Sequence, residues 1–135
     1  MSQTSLLRRK KILVVEDQTD LLELLREHFK DEGFAIATAT NGVDAIRKAR
    51  SLTPDLVLLD VILPELDGFA VCETLRKDPT TAHVPILMIT GLPGQLTRCA
   101  GIESGATDFV TKPVTPHELL VRVKEMLARV APASA

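Results

Sequence analysis

A chain of 135 residues is long enough to bury one sizeable core and short enough to argue for a single domain. Hydrophobic residues at 45% and charged residues at 25% exclude a disordered chain, and a formal net charge of -2 gives no general attraction to nucleic acid or to anionic membrane. With no apolar stretch near the length of a membrane span and no signal-peptide core at the N-terminus, the expectation is a cytoplasmic protein without a membrane or direct nucleic-acid partner.

Residues 1–10 read as a flexible lead-in, 11–130 as the folded domain and 131–135 as a tail, either a natural end or the start of a linker. Ile12-Leu13-Val14-Val15 is an unbroken apolar run, as expected of a strand buried on both faces, and it ends on Glu16-Asp17. Thr19 or Asp20 is placed to cap a helix carrying Leu21, Leu22, Leu25 and Phe29, which Gly33 stops. A β-compatible stretch from Phe34 to Ala39 follows, and Asn41-Gly42 turns the chain into a helix with Val43, Ile46 and Ala49.

The run Leu56-Val57-Leu58-Leu59 ends on Asp60, and Pro64 with Asp67-Gly68 turns the chain out of the sheet behind it. Phe69, Cys72 and Leu75 mark a short helix, and Ile86-Leu87-Met88-Ile89 is a fourth strand ending on Thr90. A helix bearing Leu96, Cys99 and Ile102 runs to Gly105, and Phe109-Val110 is a short strand ending at Lys112-Pro113. Pro116 opens a last helix with Leu119, Leu120, Val123 and Leu127. Five strands alternating with five helices imply a parallel sheet covered on both faces, with right-handed crossovers. Cys72 and Cys99 read as small apolar helix residues, and His28, His83 and His117 lack any metal-ligand spacing.

In an open parallel sheet, ligands bind beyond the carboxyl ends of the strands, and there this chain places Glu16, Asp17, Asp60, Thr90 and Lys112. Three carboxylates within about 5 Å repel by roughly 3 kcal/mol per pair at an effective dielectric near 20, so the crevice needs positive charge. Lys112 supplies one unit, and a hard divalent cation with oxygen ligands would supply the rest. A strand-end aspartate in that setting is a candidate nucleophile towards phosphorus.

These residues resemble the receiver domains of bacterial two-component response regulators over roughly residues 10–130. The resemblance rests on Val14-Val15-Glu16-Asp17, Leu58-Leu59-Asp60 with Pro64 and Asp67-Gly68, Thr90, and Lys112-Pro113 after Gly105-Ala106-Thr107-Asp108-Phe109. It implies a doubly wound, flavodoxin-like five-stranded sheet in the order 2-1-3-4-5. It also implies that Asp60 is the phosphoacceptor, that Glu16, Asp17, Asp60 and the Ile62 carbonyl hold Mg²⁺, and that Lys112 and Thr90 meet the phosphoryl group. Thr90 and Phe109 resemble the family's switch pair, with Phe109 turning inward after phosphorylation, and the Lys112-Pro113 bond would be cis. The implied partner is a sensor histidine kinase or a histidine phosphotransfer protein, and the chain promotes only its own phosphorylation and dephosphorylation.

A flavin binder would need a hydroxyl- and glycine-rich phosphate loop where Glu16-Asp17-Gln18-Thr19-Asp20 stands. The alternatives are a phosphate-independent receiver-like binding module, although such proteins usually lack one of the five site residues, and an aspartyl-phosphate phosphatase, which would want a second aspartate at the position of Ile62. Output is expected through the face formed by the Leu96–Glu103 helix, the Phe109 strand and the last helix. There Arg98, Glu103, Asp108 and Arg122 are placed to pair across a weak homodimer. Ile62 and Leu92, which cannot orient an attacking water, predict a long-lived phosphoform.

Overall fold

The computed structural model describes residues 9–91 and 94–130, with backbone alone at 95–97. The strands are β1 (Lys11–Val15), β2 (Ala35–Ala39), β3 (Leu56–Asp60), β4 (Ile86–Thr90) and β5 (Asp108–Thr111). The helices are α1 (Thr19–Asp31), α2 (Gly42–Leu52), α3 (Gly68–Lys77), α4 (Gln95–Ser104) and α5 (Pro116–Arg129). All strand pairs are parallel and the order is β2-β1-β3-β4-β5, the doubly wound arrangement expected from the sequence. None of the described helices is long and apolar enough to cross a membrane.

The apolar runs become strands because helices cover both of their faces, which separates two cores. One face of β1, β3 and β4 puts Leu13, Leu59 and Met88 against Ala45, Val71 and Leu75. The other puts Val14, Leu58 and Leu87 against Leu25, Phe29 and Val123. β2 lies at the edge, and its small residues Ala35 and Ala37 are only half-buried.

Helix starts follow local chemistry, with one correction. Asn41 caps α2 by accepting from the Asp44 amide, Asp67 caps α3 by accepting from Ala70, and Thr115 with Glu118 forms a complete capping box ahead of Pro116. Neither Thr19 nor Asp20 caps α1: both lie inside the helix, and the cap residue Gln18 makes no side-chain cap bond. Its own amide is turned instead to the Glu16 carboxylate, at 3.1 Å. A missing cap costs about 1 kcal/mol, whereas each buried Leu22, Leu25 or Phe29 contributes about 1.5–3 kcal/mol, so packing holds α1 in place.

The expected apolar faces need three further corrections. Val43 is exposed, and Gly42, Ala45 and Ala49 are the buried side of α2. Met126 is buried with Leu119, Leu120 and Val123 in α5, leaving Leu127 partly covered. In α4, Cys99 is exposed and Ile102 is 60% exposed, and the residues turned to the core are Gly101 and Ser104. The side chain of Leu96 lies outside the described residues.

Candidate functional site

The carboxyl ends of β1, β3, β4 and β5 open onto one crevice. β1 runs directly into Glu16, whose amide donates to the Ala39 carbonyl at 3.0 Å and so extends the β1–β2 ladder by one bond. This leaves the Glu16 side chain only 2% exposed, with Asp17 beside it in solvent. Asp60 is the last residue of β3 and is 3% exposed. Carboxylate oxygens of Glu16, Asp17 and Asp60 all lie within 4.8 Å of one another.

Lys112 enters from the end of β5. Its ammonium donates to Asp60 Oδ2 at 3.0 Å and lies 3.6 Å from Glu16 Oε1. Its backbone amide donates to the Thr90 carbonyl at 2.7 Å, so the lysine and the end of β4 are fixed together. Thr90 is fully buried at that strand end. The Lys112-Pro113 bond is cis.

The electrostatics are those of a buried site short of cations. Burial, then a hydrogen bond with Asp60, pushes the Glu16 carboxyl up to about 7, although the Gln18 amide and Lys112 favour its ionised form. Burial alone would lower Lys112, but its bond to Asp60 and the charges of Asp60 and Glu16 outweigh that and raise it above its ordinary value. Three carboxylates against one ammonium leave an uncompensated negative cluster of hard oxygen donors, which fits Mg²⁺.

Asp60 is also held from behind. Its Oδ1 accepts from the Ile62 amide at 3.0 Å, so both carboxylate oxygens are engaged and the side chain has one orientation. Sequence reasoning named only the carbonyl of Ile62 and missed this amide. It also treated Asp67-Gly68 as a turn. The Gly68 amide donates to the Val61 carbonyl at 2.8 Å, and a Cβ at Gly68 would stand 2.4 Å from the Asp60 carbonyl oxygen. The start of α3 can therefore lie directly on the end of β3, and the glycine in that pair was the available signal.

Phe109 is 7% exposed, its ring already buried beside Gly101 and Met88 rather than waiting outside. Space exists because position 101 has no side chain. Leu92 lies outside the described residues, while Ile62 is 54% exposed at the site. The exposed His28, His83 and His117 join no group of clustered ligands among the described residues.

A profile of the response regulator receiver domain matches residues 12–124. Response regulator PleD of Caulobacter vibrioides is 43% identical over 116 residues, which make up 86% of this chain and 26% of that protein. The alkaline phosphatase synthesis transcriptional regulatory protein PhoP of Bacillus subtilis is 42% identical over 120 residues, 89% of this chain and 49% of that protein. The chain thus spans half or less of the length of these relatives. The crystal structure of a CheY-like response regulator receiver domain protein from Methanospirillum hungatei superposes with a TM-score of 0.84 at 27% identity, covering 90% of this chain and 95% of that one.

Proposed function

The chain belongs to the response regulator receiver domain family, a phosphoacceptor module rather than a catalytic enzyme, and from that premise we propose that Asp60 is the residue phosphorylated. The donor is a sensor histidine kinase or a histidine phosphotransfer protein, and the added charge switches a partner-binding face. The observation that carries this reading is Lys112 Nζ, 3.0 Å from Asp60 and 3.6 Å from Glu16 inside a cluster of three carboxylates. The receiver unit spans 11–130, and the reading places it in the cytoplasm, where such donors draw on ATP.

An Asp60 carboxylate oxygen forms a bond to phosphorus as the P–N bond of the donor phosphohistidine breaks and its electron pair leaves on the imidazole. The Ile62 amide and Lys112 fix the carboxylate for that approach, which lowers the entropic part of the barrier. Glu16, Asp17, Asp60 and the Ile62 carbonyl would hold Mg²⁺, which when bound supplies charge neutralisation for the transferring phosphoryl oxygens. The Lys112 ammonium is already at the acceptor and needs little reorganisation to follow the new charge. Thr90 meets a phosphoryl oxygen with its hydroxyl, and its backbone bond to Lys112 ties that movement to β5 and Phe109.

Incubation with Mg²⁺ and acetyl phosphate, read by intact mass, tests the reading. The expected product carries one labile phosphoryl group, lost in Asp60→Asn and in chelator. An addition that persists in Asp60→Asn refutes the assignment, steady phosphoester turnover supports a phosphatase instead, and no addition at all supports a phosphate-independent module.

A further inference from the structure

Among its described side chains, helix α4 turns Gly101 and Ser104 to the sheet, and neither fills the space there with an apolar side chain. The reason lies on β5. An ideal Cβ at Gly101 would stand 2.8 Å from Phe109 Cδ2, 2.9 Å from its Cε2 and 3.3 Å from Met88 Sδ. The ring fills the volume that a side chain at 101 would take. One turn earlier, the Arg98 guanidinium carbon lies 6.0 Å from the ring centroid, so α4 touches Phe109 through two residues on one face.

The backbone at this point is anchored. The Gly101 carbonyl accepts both the Ser104 hydroxyl at 2.7 Å and the Ala106 amide at 3.1 Å, and Ala106 opens the short connection to β5. A methyl at 101 therefore cannot be relieved by a local shift of the helix backbone. Either the ring leaves or the whole of α4 moves away from the sheet.

We propose that Gly101 is a positioning residue, the seat that makes the place of the Phe109 ring and the place of helix α4 a single variable. A signal that moves the ring must displace α4, and a change in α4 must unseat the ring. The proposal rests on the reading of Thr90 and Phe109 as a switch, and it assigns the step that carries their state to the surface.

The test is a double-mutant cycle on the full chain, with wild type, Gly101→Ala, Phe109→Ala and the double variant. Alanine is a better helix former than glycine, so a methyl without a clash raises the melting temperature. The expected result is that Gly101→Ala lowers the melting temperature when Phe109 is present and raises it in the Phe109→Ala background. Fluorine NMR of protein carrying 4-fluorophenylalanine, with the position 109 signal assigned by its loss in Phe109→Ala, should show that signal displaced in Gly101→Ala. The affinity for beryllofluoride with Mg²⁺ should fall about tenfold, the size of an ordinary coupling between sites.

An equal gain in melting temperature in both backgrounds, with the position 109 signal unmoved, overturns the seat. The switch reading fails separately. If beryllofluoride leaves the position 109 signal of the wild type unchanged while the cycle still shows coupling, Gly101 seats the ring but the ring does not report on Asp60.

Discussion

Arg76 Nε donates to the carbonyl of Gly105 at 2.8 Å, joining the ends of α3 and α4 at the edge of the sheet away from Asp60. The same guanidinium donates to the carbonyls of Ala82 and Val84 and to the Thr107 hydroxyl. Burial lowers its pKa, and these four acceptors are all neutral, so the fork geometry of the guanidinium is what this position uses.

Arg76→Lys is therefore expected to destabilise the protein by about 2 kcal/mol, because an ammonium can meet only part of this set and leaves carbonyls unsatisfied. The urea midpoint should fall with an unchanged slope, and Asp60 should still be phosphorylated. A midpoint equal to that of the wild type would mean that the clamp contributes nothing.

The strand-end site was legible because Glu16 and Asp60 each follow an unbroken apolar run, and such runs have one reading in a doubly wound sheet. Arg76 was not legible, since an arginine in a last helical turn looks like an ordinary partner for the helix dipole and its acceptors lie in two separate connections, before β4 and before β5. The inner face of α4 was misread for a related reason. Periodicity counts apolar side chains, so it selected Cys99 and Ile102, whereas the space beside Gly101 is filled by a ring from another element. The α1 start was misplaced because the chain enters the helix at Gln18, whose amide is bonded locally to the Glu16 carboxylate, and the buried Leu22, Leu25 and Phe29 rather than a capping side chain hold the helix.

Glu16 predicts a pH dependence in chelator. Its folded pKa of about 7 lies above the ordinary 4.5, so the folded state holds a proton that the unfolded state has released between those values. The stabilisation is complete below about 4.5 and is lost as pH rises through about 7. Thermal unfolding should show this decline, and Glu16→Gln should flatten it. Saturating Mg²⁺ should raise stability most at the alkaline end, as a ligand that binds only the folded state does. An identical pH slope in Glu16→Gln would remove Glu16 as its source.

Arg122 donates to Asp108 at 2.9 Å within the chain, and Arg98 lies over the Phe109 ring, so three of the four groups expected across a dimer have partners inside one subunit. The unphosphorylated protein is accordingly expected to sediment as a monomer at micromolar concentration. Asp108→Ala should cost less than about 1 kcal/mol, as for other partly exposed pairs. A tight dimer centred on α1 instead, the helix that packs beside α5 on one side of the sheet, would overturn the assignment of output to the α4–β5–α5 face.

Ile62 should lengthen the life of the phosphoform. Its amide secures Asp60 Oδ1, while its side chain stands 54% exposed where water must approach, so a substitution there changes the mouth of the site and leaves the hold on the acceptor intact. Hydrolysis needs a water in line with the Asp60 oxygen that leaves phosphorus, and an aliphatic side chain can neither donate to nor accept from that water. One orienting hydrogen bond is worth about 1 kcal/mol, and about 1.4 kcal/mol of barrier is a factor of ten in rate. Ile62→Asn is therefore expected to speed loss of the phosphoryl group about five- to tenfold. The decay is read by intact mass in Mg²⁺ buffer after removal of acetyl phosphate, with Ile62→Val as a control that changes bulk without adding a polar group. If asparagine and valine shift the decay equally, crowding rather than water orientation sets the lifetime, and if neither shifts it, Ile62 has no part in it.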